Sequence, residues 1–379
     1  MTLYSRDDER AIRVQRLVND WTKSGLLIAE QRARILPELQ VELRRTNFFL
    51  RATLFVFGYL IVNALTGLVV VTLNLSEGAT MYLAGSAAVT FFVVAQALVK
   101  RARLYHFGIE EASAIASVSC FAIAASMAFH PTFSTLQGLI ALTLGSFVLF
   151  RRFGYVYAAV AATVFAALIP FATDQADTVR RLAAMATMLV VFFVSRERRQ
   201  DYDGDYPGDA YAVTEAVSWA LLYLLANLKA SSWLASPDSM GLFYWATYGA
   251  IWILPMVGLF IAIRDRHRLL LDANIVLAIV TMMSNKPYLG GEPKPWDPIL
   301  FGVLLVAIAL GLRRWLASGE HGTRHGFVAH RLLESEKASL ALAGTATVFA
   351  PGAPPAHAHE PPSIGGGGSS GGAGASAKF

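Results

Sequence analysis

The sequence predicts an all-α fold: a polytopic transmembrane helical bundle of about ten spans, with a small cytoplasmic helical unit at its N-terminus. Three observations carry this expectation. Hydrophobic residues make up 55% of the 379-residue chain, charged residues only 16%, and mean hydropathy is +0.47. That leaves too few polar side chains to clothe a water-soluble surface. The apolar residues are gathered into runs long enough to cross about 30 Å of hydrocarbon at about 1.5 Å per residue. Lys and Arg, finally, fall in alternate connections between those runs, as short cytoplasmic loops require.

Taken in order, residues 1–48 form the cytoplasmic unit. Val14, Leu17, Val18 and Trp21 recur at i, i+3, i+4 and i+7 on one helical face, and the helix stops near Ser24 and Gly25. A second helix starts near Ala29. Pro37 then kinks it or opens a third helix running through Arg44 and Arg45 into the first span. Leu17, Val18 and Trp21 are the candidate face for a cytoplasmic protein partner, the alternative being that this face packs on the stripe of Ile35, Leu36, Leu39 and Leu43.

The multi-span region is 49–315, with runs at 49–73, 80–99, 112–129, 133–150, 154–172, 179–194, 210–228, 241–263, 268–284 and 298–315. One set of connections carries Lys100, Arg101 and Arg103, then Arg151 and Arg152, then Arg196, Arg198 and Arg199, then Arg264, Arg266 and Arg268. The other set is nearly free of cations, so both termini are expected in the cytoplasm. Spans three and five, with Ala112, Ala116, Ser113, Ser117, Ala158 and Ala162 at helical spacing, are expected to form the interior. Span eight carries Tyr244, Trp245, Tyr248 and Trp252, an interfacial pattern, and Pro255, which frees a backbone carbonyl. Residues 316–346 are a cytoplasmic segment with one amphipathic helix around 328–342. Residues 347–379, rich in Pro, Gly, Ala, Ser and His, read as a disordered tail.

The stretch Leu17-Val18-Asn19-Asp20-Trp21-Thr22-Lys23-Ser24-Gly25-Leu26-Leu27-Ile28-Ala29-Glu30-Gln31, followed by many apolar spans, resembles the bacterial membrane-protein family known as domain of unknown function 2157. The likeness covers about the first third of the chain. It implies a bacterial inner-membrane protein and assigns no activity.

Motifs for chemistry are excluded one by one. Cys120 is the sole cysteine, which rules out an intramolecular disulfide and a multi-cysteine zinc site. The basic residues form no continuous face for nucleic acid. Counted from Asp201, the sixth and twelfth positions of a calcium loop hold Tyr206 and Ala212 instead of Gly and Glu. Asp201, Asp203, Asp205 and Asp209 therefore read as a solvated loop pairing with Arg196, Arg198 and Arg199. The histidines near spans, His106, His130 and His267, lie at loop edges and pair with no intramembrane serine. His357 and His359 in the tail are a weak metal tract. No catalytic residue, cofactor or metal is expected. What remains is a candidate intramembrane polar cluster near the cytoplasmic ends of spans one, seven and nine: Arg51, Glu215, Asp272 and Asn274. The leading expectation is a non-enzymatic scaffold or regulator in the lipid bilayer. The alternative is a transporter or channel for a small solute or ion.

Overall fold

The computed structural model describes residues 3–128, 134–202, 206–234, 241–291, 294, 296–319, 323–324 and 327–328. The amphipathic helix expected at 328–342, the tail 347–379 with its histidines, and Asp203 and Asp205 lie outside the described residues, apart from Val328.

The amino-terminal helix α1 spans Arg6–Lys23, opened by Ser5, whose side chain accepts from Asp7 N–H. It closes at Ser24, with Gly25 at φ 78°, a left-handed turn that glycine enters without penalty. Helix α2 is Ala29–Ile35, followed by a 3₁₀ turn Leu36–Leu39 around Pro37. The expected third helix through Arg44 and Arg45 does not form. Residues 40–46 run without helix, and Arg44 exchanges backbone hydrogen bonds with the far segment 103–105: Arg44 N–H to Arg103 O at 2.8 Å and Tyr105 N–H to Arg44 O at 3.0 Å. Asn47 then caps the next helix through Leu50 N–H at 2.8 Å.

That helix, α3 (Phe48–Thr72), is followed by α4 (Glu77–Lys100), α5 (Ile109–Ala128), α6 (Thr135–Phe153), α7 (Val156–Leu168, extended by a 3₁₀ turn to Ala172), α8 (Asp177–Asp201), α9 (Tyr206–Ala226), α10 (Leu242–Arg264), α11 (Arg268–Tyr288) and α12 (Asp297–Ala317). These helices stand at the places where the apolar runs predict spans. Among the described residues, seven of them, α3, α4, α5, α6, α8, α10 and α11, are long and apolar enough to cross a membrane. A two-residue antiparallel ladder, Thr323–Arg324 with Phe327–Val328, follows α12.

Packing is tightest between α4 and α5 and between α8 and α9. Small residues line the interior: Ala84, Ala88 and Ala95 are buried on α4. Ala112, Ala116, Ser113, Ser117, Ala158 and Ala162 are all buried, as their spacing predicts, and Gly58 on α3 meets Ala112. One core gathers α4, α5, α6 and α7 around Phe153 and Tyr155. A second gathers α8, α9, α10 and α11 around Met188, Phe192 and Tyr223.

The amino-terminal unit rests on the end of the bundle that carries the basic connections. Leu3 N–H bonds Arg152 O at 2.7 Å, Tyr4 Oη donates to Leu104 O, Arg13 pairs with Asp209 at 2.7 Å, and Ile12 joins the first core. The buried residues of α1 are Glu9, Ile12 and Val18, whereas Val14 is exposed and Leu17 and Trp21 are half-buried. The face turned inward therefore takes Val18 from the apolar stripe together with Ile12 and Glu9, and leaves Val14 outside.

Candidate functional site

The structure distributes the four expected polar residues over three places. Arg51 meets Glu111, through Nε at 2.8 Å and Nη2 at 2.5 Å, a fork on a carboxylate. The same carboxylate receives His106 Nδ1 at 2.7 Å. Asp272 is exposed on α11, 3.9 Å from Arg268 one turn away. Glu215 and Asn274 lie together in the seam between α9 and α11, and around them runs the most continuous polar feature among the described residues.

It begins at the basic end. Glu215 is 0% exposed, and its Oε2 accepts from Arg199 Nε at 2.6 Å. Arg196 pairs with Asp265 at 2.8 Å, and Arg199 lies 3.6 Å from the same carboxylate. His267, just before α11, accepts Leu270 N–H through Nδ1 at 2.9 Å, which leaves the proton of a neutral ring on Nε2, 3.9 Å from Glu215 Oε2. Burial, and then the positive charge of Arg199, push the His267 pKa down to about 4, so the ring is neutral at pH 7.

From Glu215 the line steps along α9 in whole turns. Trp219 donates from Nε1 to Asn274 Oδ1 at 2.9 Å, and Asn274 returns a bond to Leu270 O at 2.7 Å. Gly258 on α10 lets that helix close over this pair, since a Cβ there would strike Asn274 and Trp219. One turn further, Asn227 Nδ2 donates to Tyr223 Oη at 3.1 Å, and Tyr223 Oη shares a hydrogen bond with Thr281 Oγ1 at 2.7 Å. Thr281 in turn donates to Ile251 O at 2.8 Å. Ile251 O is the carbonyl that Pro255, four residues on, leaves without its helical partner, so a threonine from the next helix repairs the proline gap.

Asn227 also reaches Ser284 Oγ at 2.9 Å. Beyond it Arg181 of α8, 0% exposed, donates to Leu225 O, Ser231 Oγ and Ser231 O, each at 2.9 Å. Glu215, Trp219, Tyr223 and Asn227 lie four residues apart, so this single face of α9 carries the line over about 18 Å. The aromatic residues of α10 divide. Tyr244 bonds Tyr288 O at 2.7 Å and Tyr248 bonds Asn285 at 2.8 Å, while Trp245 and Trp252 stay on the outer surface.

The expected loop pairing of the aspartates holds for one described residue: Asp201 lies 3.9 Å from Arg198. Asp209 goes to Arg13 instead, and Arg196 and Arg199 go to Asp265 and Glu215. Under α1, Tyr105 Oη donates to Glu9 Oε2 at 2.8 Å. Burial raises the Glu9 pKa above the ordinary carboxylate range and that of Tyr105 above the usual phenol.

Sequence reading missed most of the line. Tyr223, Asn227, Thr281 and Ser284 are isolated polar residues inside apolar runs. The available signal was their spacing: 219, 223 and 227 on one helix, 274, 281 and 288 on another, each set a single stripe.

An all-helical bundle with seven long apolar helices and a buried polar seam defines a multi-pass helical membrane protein. No protein-family profile, curated protein or solved structure matches this chain.

Proposed function

We propose that this protein is a transporter or channel for a small ion or solute, with the α9–α11 seam as its pathway. The observation that carries the reading is the row of buried polar side chains, in separate hydrogen-bonded groups one helical turn apart, that runs from Glu215 past Trp219, Tyr223 and Asn227 toward Arg181. Polar and ionisable groups are costly inside a bilayer, and where they form a line through a bundle they mark ion and solute routes. In this reading all ten apolar helices cross the membrane and both termini lie in the cytoplasm. The bilayer is a bacterial inner membrane, in keeping with the resemblance of residues 17–31 to domain of unknown function 2157. The protein performs no covalent chemistry.

The test is flux in reconstituted liposomes, read with a pH-sensitive dye and a solute screen. Native protein should conduct above protein-free vesicles, and Glu215→Gln or Asn227→Leu should abolish the signal while still folding. Equal flux from all three proteins rejects the pathway. Orientation is tested separately: cysteines at Ser232 and Gly290 in a Cys120→Ala background should react with impermeant thiol reagents in intact cells, and labelling at Ser318 instead reverses the topology.

A second reading, a scaffold that binds a cytoplasmic protein through Leu17, Val18 and Trp21, is favoured by the exposed Val14, Leu26 and Ile28 beside the half-buried Leu17 and Trp21. Burial of Val18 at 1% exposure weighs against it. Trp21→Ala should remove a co-purifying partner if the scaffold reading holds, and an unchanged profile rejects it.

A further inference from the structure

Helix α5 opens with two adjacent carboxylates that are both inside the protein, Glu110 at 0% and Glu111 at 3% exposure. Their surroundings differ. Glu111 holds the Arg51 guanidinium in a two-point fork, and His106 as well. Glu110 accepts the backbone N–H of Phe107 through Oε1 at 2.6 Å, while its buried Oε2 meets no hydrogen-bond partner among the described residues.

The titratable groups facing Glu110 are Glu111 on its own helix, His106 on the preceding turn, Arg51 on α3, Tyr155 and Tyr157 at the start of α7, and Tyr4 before α1. Glu9 lies beyond Tyr105, closer to His106. The turn that aims Glu110 inward is tight. Gly108 has φ 109°, and a Cβ there would run into the α3 backbone at Arg51 and Phe55, so α3 seals this side of the carboxyl group.

An ionised Glu110 would thus place a second negative charge beside Glu111, out of water, with the nearest guanidinium already committed. A carboxyl group in that position takes a proton rather than bear the cost. The free oxygen also fits a proton: Oε1 already accepts an N–H, which leaves Oε2 as the atom that carries O–H. A metal cation fits poorly, because among the described residues no three His, Cys, Asp or Glu side chains are placed to hold one.

We infer that Glu110 is a proton-binding site, a carboxyl group that takes up and releases a proton inside the bundle while Arg51 and His106 keep its neighbour Glu111 ionised. The site is separate from the α9–α11 seam and does not rest on the transport reading.

The test uses the full chain in detergent. Thermal stability is followed from about pH 5 to about pH 9, for native protein and Glu110→Gln, whose amide reproduces the neutral acid. The two should melt together at the acid end. Native protein should then lose several degrees as pH rises, while the variant does not. Infrared difference spectra should show a protonated-carboxyl C=O stretch in native protein that the variant lacks.

A variant less stable than native at every pH, with no such band missing, overturns the inference and makes Glu110 an ionised structural group. Stabilisation of native protein but not the variant by sodium or lithium at fixed pH overturns it in favour of an alkali cation. Should the variant fail to fold, dicyclohexylcarbodiimide on native protein decides, because it modifies protonated carboxyls. An adduct on Glu110 that grows as pH falls supports the site, and an unmodified Glu110 across the series overturns it.

Discussion

Replacing Gly258 by alanine adds one methyl group at the point where α10 closes over the Trp219–Asn274 hydrogen bond. The added Cβ would overlap Asn274 Oδ1 and Cγ and Trp219 Nε1. None of these atoms yields easily: Asn274 is tied to Leu270 O at 2.7 Å, and the Trp219 ring packs on Phe192 with centroids 4.7 Å apart. Either the helices separate, at about 1–3 kcal/mol for overpacking, or the bond breaks and leaves a buried donor and acceptor unpaired, at about 1–3 kcal/mol each. A loss of about 2–4 kcal/mol is the expected outcome, measured by denaturant unfolding in mixed micelles. The origin is separable by a cycle with Asn274→Ala, which empties the space the methyl needs. In that background the cost of Gly258→Ala should fall by at least about 1 kcal/mol, since contacting residues couple by about 0.5–3 kcal/mol. A Gly258→Ala protein within about 0.5 kcal/mol of native, the range of an uninvolved surface change, refutes the close approach of α10 to the seam. Strict additivity in the cycle refutes the assignment to Asn274.

Three further outcomes are expected. His267 is held neutral with a pKa near 4 against a free value of 6.5, so protons favour the unfolded chain. Stability should be level above pH 6.5 and fall by up to about 3 kcal/mol as pH drops toward 4, and His267→Asn, which keeps the helix cap, should flatten that slope in a pH series of melts. Glu9 has a raised pKa through burial, so the stability it gives to docking of α1 is present below the ordinary carboxylate pKa and lost as pH rises through the raised value. The ratio of native to Glu9→Gln hydrogen exchange in residues 6–23 should climb with pH. Arg51→Gln strands the buried Glu111 and should cost about 3–5 kcal/mol, with much of it restored by adding Glu111→Gln; equal instability of the double variant refutes the pair.

Helix placement was legible because hydrocarbon thickness dictates run length, and every apolar run has its helix. The helix ends are less legible, for one reason: in an apolar run a charge reads as an end. Span three was started at 112, excluding Glu110 and Glu111, yet α5 begins at Ile109 and buries both. Span six was closed at 194, yet α8 carries Arg196, Arg198 and Arg199 on to Asp201 and delivers Arg199 to Glu215. Charges that solvent would claim in isolation are retained by partners on helices distant in sequence. Glu111 needs Arg51 and Glu215 needs Arg199, and neither pairing leaves a local periodic trace. Asn274 was legible as an intramembrane amide, but its partner Trp219 was not, since an indole inside an apolar run looks like any other core residue. The extended course of residues 40–46 was hidden for the same reason, its backbone partner lying at 103–105.

The contact of Arg13 with Asp209 also sets a timetable for synthesis. The first helix emerges from the ribosome well before this partner exists, 196 positions later in the chain. At about 5–20 residues per second the interval is about 10–40 s. The core that receives Ile12 is largely complete once α7 has been made, so the helix has a surface to settle on well before its ion pair with Asp209 forms. Emergence of α9, which carries Asp209, is the event that completes the docking of α1. A bulky amino-terminal fusion would therefore be felt late, as a defect of final closure, with insertion of the earlier helices already accomplished.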